Sequence, residues 1–324
     1  VKVFGSSETY NYQVNDYNSY ATSMAFSPNG KHVVVGRFSK IGRSFDKSAL
    51  WEVSSGKKIR SLNIGGTRSI TFSPDGRYIA AGSDDGIVTL LEASTGGKIR
   101  TFSGHTRSVR SVKFSPDGHY VIATSDDGIA ILWDASNGAQ IKIISGHQGG
   151  VSSVKFSPDG EYIFTFDDIS FRIWKIDRER ELCRFWFFDS SNEWIAITPE
   201  GYYNSSPKGH QPINIRFKNK VASIEQFYDV FYRPDIVEHK LKGHDIASLI
   251  NITVEDALKS PPPMVEIKEM PSNIKSQKST VSYNVKSMGG GIGEVRIFQN
   301  GKLIQSDGFY KNIAIEKRLF DKLA

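Results

Sequence analysis

The sequence predicts an all-β protein built from a repeated unit of short antiparallel strands. A four-residue phrase, Ser-Pro followed by Asp or Asn and then Gly, recurs with steps of 46, 42 and 42 residues. Its copies begin at Ser27, Ser73, Ser115 and Ser157. A second marker, a large apolar residue that ends an alternating run, keeps the same period and stands at Trp51, Leu91, Trp133 and Trp174, with Phe4 and Phe217 as outlying candidates. Two independent markers with one period indicate a repeat architecture.

Each repeat contains the pattern of four strands. In residues 105–143, apolar residues alternate with polar ones in four short runs, which contain Val109, Val112 and Phe114, then residues 120–123, then Ile129, Ile131 and Trp133, then Ile141 and Ile143. Pro-Asp-Gly and Asp-Asp-Gly stand between the runs, and these residues favour tight turns. A weaker fifth copy, Thr198-Pro199-Glu200-Gly201, follows the fourth phrase after 41 residues.

A four-stranded sheet of this size cannot bury both of its faces alone. Stacking such sheets radially around an axis buries them against one another, which is the β-propeller architecture. The sequence therefore predicts about five propeller blades in residues 1–218. Residues 1–4 resemble the last inner strand of a preceding blade, so we expect the blades to be part of a larger propeller, with an unusual closure as the alternative.

The third repeat resembles the WD-repeat family. The matching phrases are Gly104-His105, Ser115-Pro116-Asp117-Gly118, Asp126-Asp127-Gly128 and Trp133-Asp134. In that family the His, the turn Asp and the Trp join a Ser or Thr in a buried hydrogen-bond network. The resemblance implies such structural networks at His105, Asp127 and Trp133, with Thr124 or Ser125 as the hydroxyl, and at His147, Asp168 and Trp174. Trp51 and Asp85 hold matching positions in the first two repeats.

The first two repeats depart from this pattern. The second has Gly65-Gly66 in place of Gly-His and Leu91-Glu92 in place of Trp-Asp, so we expect its network to be absent. The first lacks the His and carries a basic insertion over residues 37–47.

The pattern changes after residue 218. Apolar residues at helical spacing between Ser223 and Lys242 predict a helical linker in residues 219–260. Pro261-Pro262-Pro263 marks a boundary, after which alternating runs and Asn300-Gly301 predict a partial immunoglobulin-like β-sandwich in residues 261–324.

Phrases in residues 187–301 resemble bacterial multidomain WD-repeat proteins. They are Glu193 to Ser206, Gln226 to Asp235 and Gly291 to Gly301. In those proteins a propeller and an immunoglobulin-like module precede a caspase-like peptidase domain. No peptidase sequence is present in this chain, so the resemblance implies a regulatory part of such a protein and not its enzyme.

The chemistry-bearing residues have structural explanations. Cys183 lacks the surroundings of a caspase-like nucleophile, and we expect it to be buried on an outer strand. The Asp-Asp pairs recur with the repeat and are predicted to be turn residues. Met288 to Gly293 is glycine-rich, but no Lys-Ser/Thr follows, so it is not a phosphate-binding loop. We therefore predict no catalytic residue, no metal and no cofactor.

Composition sets broad limits on partners and location. The 324 residues are 39% hydrophobic and 23% charged, and 41 basic against 35 acidic residues give a formal net charge of +6. This charge weakly favours anionic partners. A single cysteine and the lack of an apolar run of about 18 residues predict a cytoplasmic protein with no membrane partner.

Binding of a protein or peptide is the favoured function. Blade ends receive partners in the WD-repeat family, and the candidate contact residues here are Arg68, Arg107 and Arg110 before the first strands, with Arg37, Lys40 and Arg43 in the insertion. The expected module is a non-catalytic scaffold or sensor. Two alternatives remain: binding of an anionic polymer such as nucleic acid through the basic loops, and an enzyme that uses the propeller channel, for which no motif is present.

Overall fold

The computed structural model describes residues 2–3, 10–11, 19–39, 48–64, 66–178, 180–188, 192–217, 220–250, 252, 256–257, 264–269, 278–286, 294–299, 302–309 and 315–322. The fold is mostly β, with several four-stranded antiparallel sheets, and this confirms the predicted fold class. Backbone contacts divide the chain into two units, Val1–Leu182 and Cys183–Ala324. The predicted domain boundaries at 218 and 260 stay predictions.

The first unit is a series of sheets whose strands follow one another along the chain. Its strands are β1 (Lys2–Val3), β2 (Tyr10–Asn11), β3 (Ser19–Phe26), β4 (His32–Ser39), β5 (Ala49–Glu52), β6 (Lys58–Ser61), β7 (Thr67–Phe72), β8 (Tyr78–Ser83), β9 (Val88–Glu92), β10 (Lys98–Phe102), β11 (Val109–Phe114), β12 (Tyr120–Ser125), β13 (Ala130–Asp134), β14 (Gln140–Ile144), β15 (Ser153–Phe156), β16 (Tyr162–Phe166) and β17 (Ser170–Lys175). β3–β6, β7–β10 and β11–β14 form three four-stranded sheets, and β15, β16 and β17 begin a fourth.

The repeated phrase forms the same turn in every blade, between the first and second strands. In the third blade, the Ser115 N–H donates to the Tyr120 carbonyl at 3.0 Å and the His119 N–H donates to Asp117 Oδ1 at 2.9 Å. Gly118 has φ +77°, a conformation that glycine adopts without strain. The phrases at Ser27, Ser73 and Ser157 repeat this geometry.

Neighbouring sheets bury their faces against each other. Along β13, Ile131 and Trp133 face the second blade, in a cluster that includes Leu90 and Phe102. Leu132, which lies between them in sequence, faces the fourth blade, in a cluster that includes Trp174. Alternate residues of one strand thus enter two different cores. This confirms that the sheets stack as blades and that Trp133 and Trp174 occupy equivalent places.

The first strand of each blade is the innermost one and contacts the first strand of the next blade. Serine hydroxyls join these strands: Ser23 Oγ accepts from the Ile70 N–H at 3.2 Å, and Ser69 Oγ accepts from the Val112 N–H at 3.1 Å. The two serines occupy equivalent positions four residues before the repeated phrase. A serine side chain therefore links β3 to β7 and β7 to β11, a contact that the sequence pattern did not predict.

The second unit begins within a strand and combines short sheets with helices. Its strands are β18 (Glu181–Phe188), β19 (Glu193–Ile197), β20 (Tyr203–Ser205), β21 (Asn214–Phe217), β22 (Lys220–Ser223), β23 (Met264–Glu269), β24 (Lys278–Lys286), β25 (Glu294–Gln299), β26 (Lys302–Phe309) and β27 (Ile315–Lys322). The pairings are antiparallel: β18 with β19 and β19 with β20, β21 with β22, β24 with both β23 and β27, and β25 with β26.

Helices occupy the segment that the apolar spacing predicts. A 3-10 helix (Ile224–Phe227) leads into α1 (Tyr228–Phe231), and α2 (Pro234–Leu241) follows. Proline is favourable at the start of α2 because its missing N–H would have no helical partner there. Ile236 and Val237 of α2 are buried, and a second 3-10 helix covers Ala247–Leu249. The predicted boundary at Pro261 and turn at Asn300 lie outside the described residues.

Candidate functional site

The candidate site lies at the end of the blades where the first strands begin and the second strands end. We call it the arginine end and define it by Arg68, Arg107 and Arg110. The Asp-Asp turns between the second and third strands lie at the same end. The repeated Ser-Pro turns lie at the opposite end. The hydrogen-bond networks inside the third and fourth blades hold the loops of the arginine end in place.

The fourth blade contains a complete four-residue network. Trp174 Nε1–H donates to Thr165 Oγ1 at 2.8 Å, and His147 Nε2 lies 2.8 Å from the same hydroxyl oxygen. His147 Nδ1 lies 2.6 Å from Asp167 Oδ2. One arrangement of protons satisfies all four groups: the Thr165 hydroxyl donates to Nε2, and Nδ1–H donates to the carboxylate. This arrangement requires a neutral imidazole.

The pKa values of the pair are consistent with this arrangement. Burial lowers the pKa of His147, and this effect outweighs the hydrogen bond that His147 donates to Asp167, which acts in the opposite direction. Burial alone would raise the pKa of Asp167, but hydrogen bonds from His147, the Ile169 N–H and Ser170 hold it below its usual value. A neutral imidazole beside a carboxylate fixes the loop but gives no sign of catalysis.

The network of the third blade is incomplete. His105 Nδ1 lies 2.9 Å from Asp127 Oδ2, and its Nε2 lies 3.3 Å from the Ala123 carbonyl oxygen. Trp133 meets the edge of the His105 ring, with the centroids 5.8 Å apart. Neither predicted hydroxyl is the missing member. Thr124 Oγ1 is buried without a partner, and Ser125 Oγ donates to the Arg107 carbonyl.

Strand register explains why the hydroxyl is missing. Val121 pairs with Trp133 in the third blade, and Ile163 pairs with Trp174 in the fourth. Counting two residues along each second strand from these pairs leads to Ala123 and Thr165. The position of the hydroxyl therefore holds an alanine in the third blade. Thr124 is one residue further on, so its side chain is on the other face of the sheet.

The carboxylate of the fourth network is Asp167, and the prediction of Asp168 was wrong. The predicted position assumed the turn of the third blade, where the Ser125 N–H bonds the Ile129 carbonyl. In the fourth blade the Asp167 N–H bonds the Ser170 carbonyl at 3.0 Å, so only two residues lie between them and the hairpin is tighter. The shorter turn moves the network carboxylate back by one position.

The first two blades place the remaining network candidates differently. Asp85 accepts from the Ile87 N–H at 3.0 Å and from the Ser83 hydroxyl, so it stabilises its own turn and contacts no histidine. Asp85 is therefore not part of a buried network. Trp51 lies on β5, partly buried, opposite Val33 of β4.

The three arginines of the arginine end differ in their surroundings. The Arg68 guanidinium lies over the Phe38 ring, 3.9 Å from its centroid, and joins the first and second blades. Arg110 is exposed, and its Nε donates to Asp126 Oδ1 at 2.6 Å, while Asp168 adds a second negative charge nearby. Arg107 is exposed and forms no ion pair within the part of the chain that the structure describes. The end is thus a mixture of charges and not a uniformly basic surface.

The basic insertion is largely outside the described residues. Lys40 and Arg43 fall there, and nothing in the structure tests their predicted role. Arg37 is described: it lies near the end of β4, half-buried, and its N–H donates to Ser48 Oγ at 3.1 Å.

The described residues contain no arrangement typical of an active site. Cys183 is fully buried on β18, in a cluster with Ala196 and Val237. No group of three or more His, Cys, Asp or Glu side chains in these ranges could hold a metal ion. Within the same ranges, no helix combines the length and the apolar character that crossing a membrane requires.

Buried charges in the fourth blade were not predicted. Arg172 of β17 is 1% exposed, and its guanidinium bonds Glu181 at 3.1 Å and the Gly146 carbonyl. Its positive charge also contributes to the low pKa of His147. An arginine in an alternating strand ordinarily indicates an exposed position, so nothing in the residue pattern predicts this buried contact.

Comparison with known proteins identifies the repeats. Residues 56–90, 96–134 and 138–175 each match the family model for the WD domain, G-beta repeat. The chain is also similar to the nuclear distribution protein PAC1 of Coccidioides posadasii (strain C735), with 36% identity over 62 residues. That match covers 18% of this chain and 13% of the relative. The chain therefore carries WD40 repeats, and the relative's length is mostly unmatched.

Proposed function

We propose, from the WD40 repeats in residues 56–175, that the chain is a non-catalytic module that binds a protein or peptide partner at its arginine end. WD40 repeat domains generally mediate protein–protein interactions. The observation that carries the proposal is the exposed pair of Arg107, on the loop before β11, and Arg110, at the start of β11, beside a buried network that anchors this loop. Loops that are already ordered in the unbound protein lose little conformational entropy when a partner binds.

The chemistry of the arginine end indicates the kind of partner. Arg107 offers an exposed guanidinium, and Arg110 is held next to the carboxylates of Asp126 and Asp168. A surface with both signs of charge within one blade end favours a folded protein or peptide with alternating charges. It disfavours a polyanion, because the acidic turns repel phosphates. Nucleic-acid binding is therefore the alternative and not the proposal.

Charge-reversal variants test the proposed surface. The chain is used as bait in a lysate, and bound proteins are quantified by mass spectrometry. Arg107→Glu with Arg110→Glu is compared with Lys58→Glu and Lys98→Glu, which change the net charge equally on exposed outer strands. We expect the arginine variant alone to lose a defined partner at least tenfold. Equal recovery by both variants would refute the surface.

The nucleic-acid alternative has its own measurement. Binding of a labelled oligonucleotide is measured from low to physiological salt, and a polyanion contact loses affinity steeply as salt rises. We expect no saturable binding at physiological salt. Saturable binding that the arginine variant abolishes would replace the proposal with this alternative.

Regulation of a caspase-like peptidase domain is part of the proposal for the parent protein. Its support is the resemblance of phrases in residues 187–301 to bacterial multidomain proteins. The immunoglobulin-like character of residues 261–324 has the same support. Sequencing the gene on both sides of this region tests the idea. An encoded caspase-like domain with a His/Cys dyad supports it, and a gene without one refutes it.

A further inference from the structure

A cavity of about 400 Å³ lies at the end of the blades opposite the arginine end. The four copies of the repeated phrase line this open cavity, and each copy contributes one proline ring, from Pro28, Pro74, Pro116 and Pro158. Phenylalanine side chains before each phrase add to the walls. The size lies within the range of about 300–1,000 Å³ that is usual for small-molecule sites.

Two lysines line this cavity beside its proline and phenylalanine rings. Lys113 is the last residue but one of β11, and Lys155 holds the equivalent position in β15. The spacing of 42 residues is the repeat period, so adjacent inner strands place the two side chains next to each other. The equivalent residue of β7 is the uncharged Thr71. The cationic pair therefore belongs to these two blades and is not a general feature of the repeat.

The two ammonium groups have no counter-charge among the described residues. Neither lysine forms an ion pair or a side-chain hydrogen bond in these ranges. Burial lowers the pKa of Lys113, and the positive charge of Lys155 lowers it further. Asp117 and Asp159, in the turns that follow the two strands, do not line the cavity and accept hydrogen bonds within those turns. An anion in the cavity would relieve the repulsion between the lysines.

We propose that the cavity binds a small organic anion, with one carboxylate or phosphate group held between Lys113 and Lys155. Its apolar or aromatic body lies against the proline and phenylalanine rings. The volume is larger than a bare phosphate needs, and the proline and phenylalanine rings offer contacts to an apolar body that a free inorganic ion does not use. The site is separate from the arginine end, so it goes beyond the proposed protein-binding function.

Calorimetric titration of the full chain tests the site. The probes are phenyl phosphate and benzoate as anions with an aromatic body, benzyl alcohol as the neutral analogue and inorganic phosphate as the bare ion. We expect at least one aromatic anion to bind at least tenfold more tightly than benzyl alcohol and than inorganic phosphate. The tighter of phenyl phosphate and benzoate identifies the head group.

Lysine variants assign the binding to this cavity. Lys113→Met and Lys155→Met keep an unbranched apolar side chain but remove the charge. Each should weaken the binding of the aromatic anion at least tenfold. Lys113→Arg should retain binding. Lys31→Met is the matched control, because Lys31 is exposed in a turn at the same end and does not line the cavity. Thermal melting of each variant shows that it is folded.

Three results would overturn the proposal. The first is that neither aromatic anion binds at millimolar concentration. The second is that inorganic phosphate or benzyl alcohol binds as tightly as the aromatic anions. The third is that Lys113→Met and Lys155→Met, shown to be folded, bind like Lys31→Met.

Discussion

At the scale of single residues, a buried hydroxyl stabilises the fold only when it lies on the strand face where its hydrogen-bond partners are. Thr165 accepts from Trp174 and meets His147, whereas the equally buried Thr124 has no partner. Removing one partner of a buried hydrogen bond costs about 1–3 kcal/mol, while removing an unpartnered hydroxyl costs little or nothing. The two threonines therefore form a matched pair.

We predict that Thr165→Val lowers the free energy of unfolding by about 1–3 kcal/mol. The same replacement at Thr124 should leave the stability unchanged or raise it slightly. Urea unfolding followed by tryptophan fluorescence measures both. Equal losses in the two variants would mean that the network of the fourth blade contributes no stability.

The low pKa of His147 predicts a dependence of stability on pH. Burial lowers this pKa in the folded state, so the unfolded state binds more protons as the pH falls through its ordinary value of about 6.5. The stability that the neutral, buried His147 contributes is therefore fully present above that pH. It is lost progressively as the pH falls from there to the pKa of the folded state. The carboxyl of Asp167, whose pKa is also lowered, extends the loss below about pH 4.

Urea unfolding at pH 7.5 and pH 5.5 measures this effect. The native chain should lose stability between the two, and His147→Gln should lose less. His119→Gln removes an exposed histidine and serves as the control. If the native chain and His147→Gln lost the same amount, His147 would not be the group responsible.

Residue identity alone could not predict the complete networks. The period of the repeat located His105, His147 and both tryptophans correctly. The carboxylate in the fourth blade was displaced by one position, because the hairpin length depends on backbone pairing that the Asp-Asp pair does not specify. Strand register from the tryptophan could have identified Thr165, since the alternation of strand faces excludes its neighbour.

At the scale of elements, contacts between blades depend on small residues. A Cβ added to Gly82 of β8 would lie 2.3 Å from Val109 Cγ1 on β11 of the next blade. Gly36 of β4 is restricted in the same way by Thr67, at 2.8 Å. Glycine at these positions allows the neighbouring inner strand to approach closely. The sequence contains 29 glycines, and most positions with positive φ are turns, so this role was not predicted.

We predict that Gly82→Ala destabilises the chain by about 1–3 kcal/mol, because the new methyl group forces two packed strands apart. Gly149→Ala is the control, since nothing lies within 4 Å of its added Cβ and its φ is not in the left-handed region. Thermal melting of both variants tests the contact. A Gly82→Ala variant as stable as the control would show that the blades are not closely packed at this point.

At the scale of the whole molecule, the repeat predicts much of the first unit. A single period predicted the turns, the four strands of each blade and the packing of blade on blade, because every blade must bury both faces of its sheet against its neighbours. The cavity between Lys113 and Lys155 was not predicted, although their spacing of 42 residues was present in the sequence as a signal. Recognising it requires knowing that equivalent inner-strand positions face the same space.

The second unit was predicted less completely for a physical reason. Its elements do not repeat, so no second copy distinguishes a structural residue from a functional one. Helical spacing located α1 and α2, but the cluster of Tyr202, Phe227 and Phe231 depends on contacts between distant segments. Such contacts leave no local pattern in the sequence.

If the arginine end binds a protein partner, that partner should cover the loops at this end of the blades. Hydrogen–deuterium exchange of the chain, with and without the partner recovered by the bait, measures this coverage. We predict slower exchange in residues 105–110 and 126–128 when the partner is bound, with unchanged exchange in the outer strands β10 and β14. Protection confined to the outer strands, or none in residues 105–110, would contradict the claim.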